Sequence, residues 1–136
     1  MGKSNKGSKF ERDICKELSL WWTMGERADV FWRTSGSGAR AKVRSRTGRQ
    51  TFGQYGDIQA TDPIGQPLIN VCTIECKSGY FKNNPFDIID KNQDRHKPKY
   101  EAFLQQARDD HRNADTPYWL LIARRQGRKV MIYMPI

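Results

Sequence analysis

Val71-Cys72-Thr73-Ile74-Glu75-Cys76-Lys77-Ser78 is the stretch on which the reading of the whole chain turns. In an extended strand alternate side chains share a face, so Val71, Thr73, Glu75 and Lys77 point one way while Cys72, Ile74 and Cys76 point the other. The second face is apolar to its end. The first turns acidic and then basic, placing a carboxylate and an ammonium side by side above a backbone whose carbonyls also bind cations. With a second carboxylate nearby, this group suits a hard, oxygen-seeking ion such as Mg2+ and a water placed against it. Asp57, in Gln54-Tyr55-Gly56-Asp57-Ile58-Gln59-Ala60, is the obvious supplier. The alternating run it precedes is expected to pair with the 71–78 strand as a hairpin, through the turn-rich segment 61–67. Each piece also has an ordinary explanation. A Glu-x-Lys pair is common on solvated strand faces, and Asp after Gly is commonly a turn residue, so the order of signals along the chain must decide.

With 136 residues the chain fits one domain built on a single core, read as residues 1–136 with a flexible start (1–7) and a basic insertion (39–50). Lys and Arg number 24 against 15 acids, a formal charge of +9, which favours a polyanionic partner, nucleic acid first. There is no basic amphipathic helix for a membrane surface, no run of membrane-spanning length and no apolar signal core at the start. The expected location is therefore the cytoplasm, that of the host cell if the protein is phage-encoded. Cys15, Cys72 and Cys76 read as reduced packing thiols and not as zinc ligands.

Outward toward the N-terminus, Ser8-Lys9-Phe10-Glu11 has the form of a capping box. It predicts a helix starting at Ser8, with Phe10, Ile14, Leu18 and Trp21 as its core stripe. Locally, Glu11 is explained as a capping glutamate. A loop over 23–29 leads to a short strand, Val30-Phe31-Trp32-Arg33, and then to the turn Thr34-Ser35-Gly36-Ser37-Gly38. Residues 39–49 carry Arg40, Lys42, Arg44, Arg46 and Arg49 without an acid, as an edge ribbon or a loop, and are read as phosphate contacts. Toward the C-terminus, a helical turn is expected over 86–90. A second helix follows, with Tyr100, Phe103, Leu104, Ala107 and His111 on one face and its end near Asn113. His111 is read as a hydrogen-bonded structural residue. Tyr118-Trp119-Leu120-Leu121-Ile122-Ala123 reads as a central strand buried on both faces, and 130–134 as the last strand. The order predicts an α/β fold with a mixed central β-sheet flanked by helices.

Laid out this way, the sequence resembles the PD-(D/E)XK nuclease superfamily, which implies a restriction-endonuclease-like core of α-β-β-β-α-β order. Asp57 matches the first metal-binding aspartate and Glu75-Cys76-Lys77 the (D/E)-x-K signature. It resembles most closely the archaeal-type Holliday junction resolvases and related phage nucleases. Gly7-Ser8-Lys9-Phe10-Glu11-Arg12 matches their Gly-x-x-x-Glu-Arg helix, and Arg33-Thr34-Ser35-Gly36-Ser37 their Arg-x-x-Gly-Ser turn. Gly56 stands where the family name has proline, and the connection from Ser37 to Asp57 is longer and more basic than in the simplest resolvases. The resemblance implies a metal site of Asp57, Glu75, the Cys76 backbone carbonyl and Glu11. It also implies an active-site or DNA-contacting hydroxyl at Ser37, a water-orienting role for Lys77 and phosphate contacts at Arg12 and Arg33. Gln105 and Gln106 resemble the helix glutamine of some branches, but the sequence does not orient them.

The expected activity is that of a magnesium-dependent DNA endonuclease, with Mn2+ as a substitute ion and no small-molecule cofactor, leaving a 5′ phosphate and a 3′ hydroxyl. A branched substrate such as a four-way junction, with its approximate two-fold symmetry, implies a homodimer. Trp21, Trp22 and the C-terminal strands are the candidate interface. Two other readings stand beside it: a phage DNA-processing nuclease acting on duplex or single-stranded DNA, and a nucleic-acid-binding module on the same fold without turnover.

Overall fold

In a computed structural model of the protein, which describes residues 6–34, 56–79, 84–85 and 99–135, the chain begins with helix α1 (Lys6–Trp22). Strands β1 (Phe31–Arg33) and β2 (Ile58–Ala60) follow, then a 3-10 turn (Pro63–Gly65), helix α2 (Gln66–Val71) and strand β3 (Cys72–Ser78). Helix α3 (Lys99–Asn113) leads to strands β4 (Tyr118–Arg124) and β5 (Met131–Tyr133). The expectations for Ser37, for Arg40, Lys42, Arg44, Arg46 and Arg49, and for a helical turn over 86–90 lie outside the described residues.

The sheet is mixed. β4 lies between β3, to which it is parallel from Cys72↔Tyr118 to Ser78↔Arg124, and β5, to which it is antiparallel. A parallel pair needs a crossover, and α3 supplies it, laying Tyr100, Phe103, Leu104 and Ala107 against Trp119, Leu121 and Ala123. α1 covers the other face, where Phe10, Ile14 and Cys15 meet Ile74, Cys76 and Ile122. This is a restriction-endonuclease-like α/β arrangement, with the apolar run of β4 in the middle as its composition predicts. Burial of that run starts at Trp119, since Tyr118 is exposed.

Four local expectations are corrected. The helix starts at Lys6, two residues before Ser8, so Ser8 lies in the first turn. Glu11 is drawn into an ion pair with Arg33 and does not act as a cap. Trp21 is exposed, and Trp22 takes its place by donating its indole N–H to the Ile64 carbonyl at 2.6 Å and packing edge-on to Phe31. Helical spacing permits either tryptophan, and the position of the 3-10 turn chooses between them. β2 pairs with β1, with Phe31↔Ala60 and Arg33↔Ile58, and makes no hairpin with β3. The intervening segment is not an open turn: Asp62 caps a 3-10 turn that starts at Pro63, and Pro67 in the first turn of α2 starts a helix. That helix takes up Val71, which is exposed, so β3 begins at Cys72.

Candidate active site

Asp57 is placed by three hydrogen bonds, two of which bring it hard against β3 while the third ties it to the end of β1. Its N–H donates to the Ile74 carbonyl at 2.7 Å and its carbonyl accepts from Thr34 N–H at 3.0 Å. Its carboxylate Oδ2 accepts from Cys76 N–H at 2.7 Å. The approach depends on Gly56. At φ 76° a Cβ there would sit 2.7 Å from the Ile74 carbonyl oxygen, so glycine is required twice, by the left-handed backbone and by the space. Proline, with its φ held near −65°, is excluded at this position. In an extended strand the amide and carbonyl of one residue face the same edge, so the Cys76 carbonyl faces the edge on which Asp57 lies.

Glu75 rises from the opposite side of the backbone to Ile74, toward α3, and is 1% exposed against 5% for Asp57. The helix runs down β3 in reverse. The Lys77 ammonium lies 5.1 Å from the Phe103 ring centroid, Gln106 Nε2 donates to Glu75 Oε2 at 3.5 Å, and the Thr73 and Thr116 hydroxyls are 2.8 Å apart. One turn beyond Gln106, the buried carboxyl of Asp110 interacts with that of Glu75. Burial holds the Glu75 carboxyl well above its ordinary value, and the hydrogen bond with Asp110 and the charge of Asp57 add to the rise. Burial also raises Asp57, against the Cys76 N–H, which favours its charged form. The result is a buried acid pair in which Asp57 is the better carboxylate and Glu75 holds a proton.

Glu11 lies near enough to Asp57 to raise its carboxyl, but its own side chain is hydrogen-bonded and ion-paired to Arg33. Arg33 is thereby engaged inside the protein, while Arg12, half-buried, makes no ion pair among the described residues. Lys77 is close enough to pull Asp57 back down, without an ion pair to either acid. The thiols are all free and buried, with burial pushing Cys15 up to about 12 and Cys72 up to about 11. His111 Nδ1 lies 2.9 Å from the Thr116 carbonyl, so it serves the helix end and not the site.

Among the described residues no three His, Cys, Asp or Glu side chains converge on one metal position. What the geometry does offer is two buried carboxyls and a backbone carbonyl, all hard oxygen donors of the kind Mg2+ or Mn2+ takes, with Glu11 turned to Arg33 beside them. A divalent cation, bound in exchange for the Glu75 proton, would let both acids stand as carboxylates. Sequence reading named Gln106 beside Gln105 without orienting either, and missed Asp110. The signal was the spacing Phe103-Gln106-Asp110, one line on the buried face of α3, but a polar stripe has no meaning until its partner strand is known.

A family model described as "Phage putative PDDEXK endonuclease" matches residues 2–136. No curated protein and no solved structure matches the chain.

Proposed function

Because the chain belongs to the phage PDDEXK endonuclease family, we propose that it is a divalent-cation-dependent endodeoxyribonuclease whose site is built on Asp57, Glu75 and Lys77. The observation that carries this reading is the burial of Asp57 against Glu75, fastened by the Cys76 amide, with Lys77 one pleat above. Asp57, Glu75 and the Cys76 carbonyl are the groups that would hold Mg2+, with Glu11 reaching it only by leaving Arg33. When bound, the ion supplies positive charge against the phosphate oxygens as the transition state gathers negative charge. Asp57 presents one oxygen to the site while Cys76 N–H holds the other. Glu75 would hold the ion as a carboxylate, its proton passing to solvent water, and Gln106 and Asp110 would keep its side chain from rotating away. Lys77 donates a hydrogen bond to the attacking water and orients it. The hydrolysis leaves a 5′ phosphate and a 3′ hydroxyl.

The substrate preference proposed is branched DNA, on the likeness of the Gly7–Arg12 and Arg33–Ser37 motifs to the junction resolvases, with cutting by a two-fold homodimer. β5 favours such an assembly. It is the edge of the three-stranded sheet among the described residues, and it exposes Met131, Ile132 and Met134. Of the two tryptophans, only Trp21 is exposed enough to take part. The test is cleavage of labelled junction, flap, duplex and single strand, with Mg2+ and with chelator, beside Glu75→Ala and Lys77→Ala. Metal-dependent cutting lost in both variants is expected. Binding without cutting on every substrate would withdraw the enzyme reading, and equal cutting of all four would withdraw only the preference for branches.

A further inference from the structure

The described residues hold a second concentration of charge that the acid pair does not use. β4 ends at Arg124, and the connection to β5 continues Arg125-Gln126-Gly127-Arg128-Lys129. This puts four cations in six residues, with no Asp or Glu anywhere after Asp115. None of the four is in an ion pair among the described residues, where the pairs are Lys9 with Asp13, Arg27 with Asp29 and Asp62, and Arg33 with Glu11. A charge run is usually a solvated face, and composition alone would leave it there. Its position argues otherwise.

The parallel register sets Arg124 opposite Ser78, one residue past Lys77, and Gly79 N–H donates to the Arg124 carbonyl at 3.1 Å. The hairpin therefore leaves the sheet at the end where Lys77 stands above the carboxyls. The Arg124 guanidinium carbon lies 5.1 Å from the ring centroid of Phe10, the residue before Glu11, so a flat cation rests between the hairpin and the start of α1. The tip is a tight turn, closed by Arg128 N–H donating to the Arg125 carbonyl at 3.0 Å, with Gly127 at φ 72° as a type II turn requires. Arg124, Arg128 and Lys129 are exposed. Cations with no ion partner among the described residues, held together on a short turn, repel one another, and a polyanion relieves them. The acid pair is buried lower on the neighbouring strand, with Glu75 three residues before the Ser78–Arg124 pairing at which the hairpin leaves the sheet. A DNA strand approaching the buried acids is repelled by them and must be held by charge outside the pocket.

We propose that the β4–β5 hairpin is a phosphate-gripping arm, in which Arg124, Arg128 and Lys129 bind the DNA backbone beside the scissile phosphate and hold it against Asp57 and Glu75. This rests on the nuclease reading and assigns its grip on the substrate to residues outside the basic insertion. Arg124 is preset by its stack on Phe10, and the two tip cations reach further along the strand.

The test is DNA binding by the full chain, measured by fluorescence anisotropy in chelator so that turnover plays no part, over a salt series. The Arg128→Gln/Lys129→Gln variant and Arg124→Gln are compared with Lys16→Gln/Arg112→Gln, a control that removes the same charge as the tip pair from exposed positions on α1 and near the far end of α3. The tip pair should weaken binding about tenfold at low salt and flatten the dependence of log affinity on log salt by about 0.9 for each phosphate no longer neutralised, with the control unchanged. Melting midpoints check the fold. The tip side chains are solvent-exposed, so the tip pair remains informative even if Arg124→Gln loosens the stack on Phe10. Equal weakening in the tip pair and the control would overturn the arm, since net charge would then explain the effect. A preference for a matched RNA duplex would also overturn it. Cleavage in Mg2+ separates the two readings. Hairpin-dependent binding by a protein that never cuts removes the nuclease reading and supports the arm as a DNA surface; cutting with KM unchanged in the hairpin variants removes the arm and leaves the nuclease.

Discussion

On the α1 side of β3, Cys72, Ile74 and Cys76 are buried among Phe10, Ile14 and Cys15; on the α3 side, Thr73 and Glu75 are buried as deeply. The two faces share a backbone, a register and a depth, and differ in what burial does to them. An apolar side chain gains on leaving water, so the first face stabilises the fold. A carboxyl loses on leaving water, and Glu75 accommodates by holding a proton and leaning on Gln106 and Asp110. Stability and chemistry are thus placed back to back on one strand, and the polar face is maintained against its own folding interest.

The sharpest way to break this comparison is Glu75→Ala, which should lower cleavage on the order of a thousandfold, as loss of a group that organises transition-state charge does, while leaving the melting temperature equal or higher. A large loss of stability instead would make Glu75 a structural residue. The mirror change, Ile74→Ala, should lower stability by about 2–5 kcal/mol, read from urea unfolding, and leave metal binding by the folded fraction unchanged. An altered metal affinity would mean that the two faces are not independent.

A third prediction uses pH. The folded pKa of Glu75 lies above its unfolded value, so its contribution to stability is fully present below the ordinary glutamate range and is lost as pH rises toward the folded value. In chelator, stability should fall with rising pH above that range, by at most about 1.4 kcal/mol per pH unit for one proton. Glu75→Gln should flatten the slope, and a divalent cation at about a hundred times its Kd should restore about 2.7 kcal/mol. A Glu75→Gln profile parallel to the parent would place the linked proton elsewhere. The smallest effect concerns the thiols. Burial holds Cys76 well above its ordinary value, so alkylation in the native state should proceed no faster than unfolding. Rapid labelling would show that the apolar face opens on its own.

Much of this comparison was legible in the residues alone. The strict alternation from Cys72 to Lys77 separated the faces, the stripe from Tyr100 to Ala107 marked the covering side of α3, and the unbroken apolar run after Tyr118 marked the central strand. These signals are periodic, and a period is a local property. The misassigned features are the contested ones. Trp21 was placed in the core stripe although its neighbour Trp22 also fits a helical face, the 58–60 run was paired with the 71–78 strand although the 30–33 strand was also within reach, and Glu11 was read as a cap, or by resemblance a metal ligand, where the structure pairs it with Arg33.

By itself, then, the sequence determined the two long helices and the apolar strands, which of their faces are apolar, that Asp57 stands just before one strand while Glu75 lies on another, and that the net charge favours a polyanionic partner, but not the short helix over 66–71. Only the tertiary structure decided that β2 joins β1, that Glu11 turns to Arg33, and that Gln106 and Asp110 stand behind Glu75. The physical reason is that propensity and periodicity are settled within a few residues along the chain, whereas the partner of a buried charge is chosen by competition among groups that only folding brings together.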